Sequence, residues 1–182
     1  MRKIILASKS PRRKYLLKQI LSDFDIDVPV NPEIKPKFYP KRLIPSYLAK
    51  QKALEIYQKH PDSLVIAADT VVICKNEILG KPKDKLDVKR MLSMLSGRTH
   101  IVVTGVFLIC KEYHKKFTCV TKVTFKKLSD TEIEEYCKLE SVYDKAGAYA
   151  IQEDAKKFVT CIVGDYNNVI GLPIDKLKQY IK

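Results

Sequence analysis

One acidic residue interrupts the apolar run Leu64–Cys74: Asp69, within Ala67-Ala68-Asp69-Thr70-Val71-Val72. An ionised carboxylate in such a run is costly unless a cation partners it, whether a metal ion or a lysine. The two alanines before it leave room for a ligand. Asp69 is therefore a candidate for acid–base or metal chemistry. The alternative is an aspartate at a strand end that caps a neighbouring turn.

The cations that could serve such an acid come from several stretches. In Ser8-Lys9-Ser10-Pro11-Arg12-Arg13, two hydroxyls and two guanidiniums collect at a strand-to-helix corner. Ser10 suits an N-cap and Pro11 the first helical position. A helix N-terminus favours anions, and arginine forks grip phosphate at two points. Ser8, Arg12 and Arg13 read as polyphosphate ligands; an ordinary corner with two solvated arginines is the alternative. Lys81 stands between Gly80 and Pro82, where glycine permits close approach and proline stiffens the exit. Lys52 neighbours the inward-facing Ala53, but by pattern alone it cannot be told from Lys50 or Lys59. Gln152 follows a small-residue stretch around Gly147 and carries both a donor and an acceptor, which suits a nucleobase edge. His100, in Ser96-Gly97-Arg98-Thr99-His100, has no paired nucleophile, so a structural turn is the preferred reading there.

These residues need strands and helices to hold them. Ile4–Ala7 reads as a buried strand handing over to a helix from Pro11 to Ile20. Phe24–Val30 looks extended, and Pro29, Pro32, Pro36 and Pro40 mark a loop over Asn31–Ile44. Ser46 is placed as the cap of a helix to Lys59, with Ala49, Ala53 and Ile56 inward. Strands follow at Leu64–Cys74 and Glu77–Leu79, then a helix over Leu86–Ser96 stopped by Gly97. His100–Lys111 and Lys116–Lys127 are strands, the second with Phe117, Cys119, Val123 and Phe125 on one face. Ser129-Asp-Thr-Glu132 is a capping box opening a helix to about Leu139. Phe158–Val163 is a strand, Gly164–Pro173 a glycine-punctuated loop, and the last helix starts near Pro173 with Leu177, Tyr180 and Ile181. Strands alternating with helices give an α/β fold with a mixed, twisted sheet and flanking helices.

The 182 residues fit one domain spanning 1–182. No apolar run reaches membrane-spanning length, and the short basic-then-apolar start is no signal peptide. Five scattered cysteines with no Cys-x-x-Cys pair point to core packing in a reducing, cytoplasmic setting. The formal charge is +13. That favours an anionic partner, but the lysines are dispersed, and neither a helix-turn-helix nor an aromatic RNA-binding signature is present.

Taken in order, Leu6-Ala-Ser-Lys-Ser-Pro-Arg-Arg13, Ala68-Asp69-Thr70, Gly80-Lys81-Pro82, Ser96-Gly-Arg-Thr-His100, Lys145-Ala-Gly-Ala-Tyr149 and Val169-Ile-Gly-Leu-Pro173 resemble the Maf family of nucleoside triphosphate pyrophosphatases. The resemblance covers nearly the whole chain. It implies an ITPase-like α/β fold with two lobes around a deep cleft, often as a homodimer. It also implies metal-dependent cleavage between the α and β phosphates, giving a monophosphate and pyrophosphate. Asp69 matches the family's proposed catalytic base. Ser8, Arg12, Arg13, Lys52 and Lys81 match its phosphate-side residues. Arg12, Thr70 and Gln152 match the positions that set specificity, in the combination of the branch acting on dTTP, UTP and modified pyrimidine nucleotides. The sister branch, which prefers 7-methyl-GTP, typically carries tryptophan, glutamine and glutamate there.

The same resemblance implies a divalent cation, Mg²⁺ or Mn²⁺, held by Asp69 and a second acid. By spacing from Arg12 and Lys52 that acid is Glu33, in Pro32-Glu33-Ile34-Lys35-Pro36; a shifted alignment puts Lys35-Pro36 there instead. Glu153 stands after Gln152 where the family commonly has glycine, which bears on how Gln152 is aimed. The expected partner is a free nucleoside triphosphate, with neither a membrane nor a nucleic acid. The rival functions are a basic nucleic-acid-binding regulator linked to cell division and a 7-methyl-GTP pyrophosphatase.

Overall fold

In the computed structural model, which describes residues 2–181, the first strand is β1 (Ile4–Leu6). It leads into helix α1 (Pro11–Lys18) through the predicted cap. Ser10 is extended, its Oγ accepts from the Arg13 N–H at 3.4 Å, and Pro11 takes the first helical position. Of the segment read as extended, only β2 (Asp25–Ile26) pairs as a strand.

Helix α2 (Ile44–Lys59) starts earlier than expected. Ser46 does not cap it. Pro45 lies in the first turn, where its missing N–H costs nothing, and the Ser46 hydroxyl donates to the Leu43 carbonyl at 2.8 Å. A turn of 3₁₀ helix over Lys41–Leu43 runs straight into it.

Strand β3 (Leu64–Cys74) and its antiparallel return β4 (Glu77–Leu79) have the predicted bounds. Asp84 caps α3 (Lys85–Leu95) by accepting from the Asp87 N–H. Two long strands follow, β5 (Thr99–Ile109) and β6 (His114–Phe125). The reciprocal box at Ser129 and Glu132 opens α4 (Asp130–Tyr136), which stops short of Leu139. Short 3₁₀ turns fill 140–158 before β7 (Val159–Val163). The glycine-punctuated loop encloses a short helix, α5 (Tyr166–Ile170). It is held by the buried Asn168, whose amide donates to Val102 O at 3.0 Å and Thr121 Oγ1 at 2.9 Å. The last helix is brief: α6 (Ile174–Leu177), then a 3₁₀ turn.

The strands form one sheet in the order β2-β1-β3-β5-β6-β7, with β4 on β3. β1 runs parallel to β2 and β3, with Leu6 opposite Ile66, whereas β6 and β7 are antiparallel. The sheet is therefore mixed, as the pattern indicated. The chain divides into two compact units. One comprises Met1–Thr70, Thr104–Cys119 and Gly171–Lys182; the other comprises Val71–Val103 and Val120–Ile170.

In the first unit, α2 packs through Ala49, Ala53 and Ile56 onto Ile5, Ala7, Val65, Ala67 and Phe107. Small residues on both sides let helix and sheet approach closely. At Gly105 the approach is tightest: a Cβ there would fall inside the backbone of Pro45 and Ser46. An isolated glycine within an apolar strand signals such an approach.

In the second unit, Arg98 serves the turn the sequence suggested. Its guanidinium donates to the Met94 carbonyl at 3.0 Å, and to those of Ser93 and Ser96 at the end of α3. His100 is buried, with Nε2 at 2.7 Å from the Tyr149 hydroxyl and ring edges against Phe125 and Tyr149. Its Nδ1 has no hydrogen-bond partner among the described residues. Burial pushes its pKa down from 6.5 to about 4, so it stays neutral at physiological pH. The unfolded chain takes up this proton near pH 6.5 and the folded chain does so only near 4. Stability should therefore fall as pH drops through that window, by up to about 3 kcal/mol from this group. Thermal midpoints at pH 7 and pH 4.5 check this. The wild type should lose more than a His100→Gln variant, and equal losses would refute it.

Candidate active site

Asp69 and Thr70 are the two residues of β3 that are not buried. They lie mid-strand, which removes the reading of Asp69 as a strand-end cap. The rest of the strand is fully packed, so the backbone at Asp69 is held on both sides.

Helix α2 supplies the cation. Lys52 Nζ lies 2.6 Å from Asp69 Oδ1 and 2.8 Å from Glu33 Oε1. The Lys52 and Asp69 side chains are 14% and 13% exposed, against 44% for Glu33. One ammonium thus joins two carboxylates, and the Asp69 pair is the better shielded. Burial works against ionisation of Glu33. The hydrogen bond and charge of Lys52, with Lys35 and Arg13 further off, outweigh it and hold its pKa below the usual carboxylate range. Lys52, indistinguishable in the sequence from Lys50 and Lys59, is singled out by the helix register: those two are exposed.

Glu33 comes from the proline-rich loop, whose backbone pairs with no strand among the described residues. Side chains of α2 do that work. The Gln51 amide accepts from the Ile34 N–H at 3.1 Å and donates to the Ile34 carbonyl at 2.7 Å. Glu55 accepts from the N–H groups of Val30 and Asn31. Gln51 and Glu55, one helical turn apart, flank Lys52 and pin the loop so that Glu33 reaches it. Neither residue is marked by its type alone, although their i,i+4 spacing beside Lys52 is legible in the sequence.

The predicted corner has a distinct division of labour. Ser8 is buried, and its Oγ accepts from the Ser10 N–H at 3.2 Å and from Arg13 Nη1 at 3.4 Å. A hydroxyl has two lone pairs and one proton. With both lone pairs engaged, Ser8 has a proton to offer, which suits an anion. Arg13 also donates from Nε to the Gly171 carbonyl at 3.0 Å and from Nη2 to Thr70 Oγ1 at 3.2 Å. Three of its five N–H groups therefore orient the site's own walls. Arg12, half-buried in the first turn of α1, adds positive charge at the same helix end.

All of these residues belong to the first unit: Ser8, Arg12, Arg13, Glu33, Lys52, Asp69 and Thr70. Lys81 and Gln152 belong to the second. There Lys81 pairs with the Asp144 carboxylate. Gly147 donates its N–H to Gly80 O at 2.9 Å, and its positive φ with Val72 against the missing Cβ requires glycine. Gln152 is exposed in the turn that follows. Glu153 after it is extended (φ −117°, ψ −151°), so this turn does not need glycine. Its carboxylate instead pairs with the buried Lys145, which also donates to Ser141 Oγ at 3.0 Å. A buried lysine needs such a partner, and Glu153 supplies it beside Gln152.

Asp69 and Glu33 offer hard oxygen donors brought to one point, a donor set that fits a divalent cation sharing the site with phosphate oxygens. Among the described residues no larger cluster of His, Cys, Asp or Glu is present. None of the helices described is long and apolar enough to cross a membrane.

Comparison with known proteins bears on the family and the fold. The family described as Maf-like protein matches residues 3–182. A dTTP/UTP pyrophosphatase of Bacillus cereus (strain Q1) is 45% identical over 183 residues, covering 100% of this chain and 95% of the relative. One from Carboxydothermus hydrogenoformans is 45% identical over 185 residues, covering 99% and 97%. Among solved structures, the Ham1 protein of Staphylococcus aureus superposes with a TM-score of 0.58 at 12% identity, covering 98% of this chain and 97% of the other. A HAM1 protein of Coxiella burnetii gives 0.55 at 15%, covering 99% and 98%. These two likenesses bear on the fold alone. With its whole length matched and its motifs on the strands and helix ends just described, the chain belongs to the Maf-like protein family.

Proposed function

We propose that this protein is a nucleoside triphosphate pyrophosphatase that hydrolyses dTTP and UTP to the monophosphate and pyrophosphate. The observation that carries the reaction is the meeting of Asp69 and Glu33 on Lys52. The substrate class rests on 45% identity over the full chain with relatives named dTTP/UTP pyrophosphatases.

In this reading Asp69 takes a proton from the attacking water, through the oxygen not bound to Lys52. Lys52 keeps that carboxylate in place and offsets negative charge gathering on the phosphates. Ser8 donates its remaining proton to a phosphate oxygen, and Arg12 adds a fork at the α1 end. Arg13 holds Ser8 and Thr70 in position. Asp69 and Glu33 would hold Mg²⁺ or Mn²⁺, and such an ion polarises phosphoryl oxygens and eases deprotonation of water. Thr70, beside Asp69 on β3, is the first unit's residue for the base, and in the second unit Gln152 carries the amide that suits one. A thymine or uracil edge shows an N–H between two carbonyls, which a glutamine amide can meet as acceptor and donor. The free cysteines fit a reducing cytoplasm, where nucleotide pools are kept.

Initial rates over ATP, GTP, dCTP, dTTP, UTP and 7-methyl-GTP, with and without Mg²⁺, test the assignment. Turnover should be greatest for dTTP and UTP. Preference for 7-methyl-GTP would move the protein to the sister specificity. Tight, salt-dependent binding of duplex DNA without nucleotide hydrolysis would replace the enzyme with a nucleic-acid binder.

A further inference from the structure

In the second unit Gln152 stands exposed between two anchored neighbours. Ile151 before it is buried. Glu153 after it donates its N–H to the Ala150 carbonyl at 3.2 Å, which closes a turn with Ile151 and Gln152 at its centre. The Glu153 carbonyl accepts from the Lys156 N–H at 2.9 Å and opens the 3₁₀ turn whose Ala155 and Phe158 are buried. The Glu153 carboxylate pairs with Lys145, eight residues back.

Lys145 makes a rigid far end for this tie. Its side chain is 3% exposed, and its ammonium also donates to Ser141 Oγ at 3.0 Å. Its N–H donates to the Val142 carbonyl at 3.2 Å, and its carbonyl accepts from the Ala148 N–H at 3.0 Å. Gly147 and Ala148 both take positive φ, 69° and 64°, so the chain reverses sharply just after Lys145 and residue 153 returns to it. Positive φ is unusual for alanine, and the surrounding structure must hold it. An ammonium this enclosed is costly without a counter-charge. Removing the Glu153 carboxylate leaves the ammonium to seek water or another acceptor, and the segment that moves with it includes Gln152.

We propose that Lys145 and Glu153 are positioning residues for base recognition: their ion pair fixes the turn that aims the Gln152 amide at the edge of the pyrimidine. A two-point match of acceptor and donor tolerates little displacement, because hydrogen bonds weaken steeply as their angles close. The inference rests on the pyrophosphatase reading and deepens it. Both residues act through Gln152.

The test measures kcat and KM for dTTP, beside a thermal midpoint, in the wild type and four variants: Glu153→Ala, Gln152→Ala, Gln152→Ala/Glu153→Ala and Lys145→Met/Glu153→Ala. In Glu153→Ala the KM should rise about tenfold, the effect of one good hydrogen bond lost, with kcat within about twofold of wild type. With Gln152→Ala already in place, Glu153→Ala should raise KM no further. Lys145→Met/Glu153→Ala removes both charges, and apolar replacement of a buried pair leaves stability close to wild type. Its KM should nonetheless stay as high as that of Glu153→Ala, because the tie between residues 145 and 153 is gone. If Glu153→Ala does not fold, this double variant carries the same expectation. An active wild type whose KM recovers together with the midpoint in Lys145→Met/Glu153→Ala makes the pair a structural device and overturns the inference alone. So does a KM within about twofold of wild type in Glu153→Ala, or a loss that adds to that of Gln152→Ala. A wild type that hydrolyses neither dTTP nor UTP overturns the functional reading, and this inference with it.

Discussion

Asp69→Asn is expected to lower kcat for dTTP by about a thousandfold, with a thermal midpoint shifted by only a few degrees. The two halves have separate causes. Asparagine keeps the shape of aspartate and an oxygen for Lys52, and Lys52 retains Glu33 as a counter-charge at 2.8 Å. No buried cation is stranded, so the several-kcal/mol loss seen when one partner of a buried pair is removed does not apply. An amide oxygen, however, takes no proton from water at neutral pH. Steady-state kinetics beside a melting curve separate the effects. Turnover within tenfold of wild type would remove Asp69 as the base. A collapse in stability would make the pair a structural device.

Gly105→Ala carries the largest expected cost to folding. The added methyl would fall on the backbone of Pro45 and Ser46, and no side-chain rotation can clear it. Helix α2 must shift on the sheet or the strand must bend. Overpacking of this kind costs about 3 kcal/mol, worth roughly 10 °C in the midpoint for a chain of this size. Activity should fall too, because α2 carries Lys52 with its flanking Gln51 and Glu55, and displacement by about an ångström can cost a hundredfold in rate. A midpoint within about 2 °C of wild type would show that α2 does not pack against β5 as described.

Some elements were legible because local pattern determines them. The apolar run Leu64–Cys74 has one extended solution and came out with its bounds intact. The Ser10 cap and the Ser129/Glu132 box needed only neighbouring residues. The start of α2 was misread because Ser46, a good cap by type, finds a better acceptor in Leu43 O once Pro45 opens the helix. The helix α5 was hidden by the glycines on either side of it and by its short length; its tie is Asn168, whose partners Val102 and Thr121 are distant in sequence.

The site divides similarly. Asp69 announced itself as a lone charge in an apolar strand. Arg12 and Arg13 looked equivalent, yet the structure spends Arg13 on Ser8, Thr70 and Gly171, the last more than a hundred residues away. Gly105 did leave a signal, an isolated glycine in a strand.

If the chain breaks a pyrimidine nucleoside triphosphate between its α and β phosphates, the products of dTTP hydrolysis reveal it. Quantifying pyrophosphate, orthophosphate and nucleotide products from dTTP in one reaction addresses it most directly. One pyrophosphate and one dTMP are expected for each dTTP consumed, without orthophosphate. Release of orthophosphate with dTDP, or no consumption of dTTP in the presence of Mg²⁺ or Mn²⁺, would contradict it.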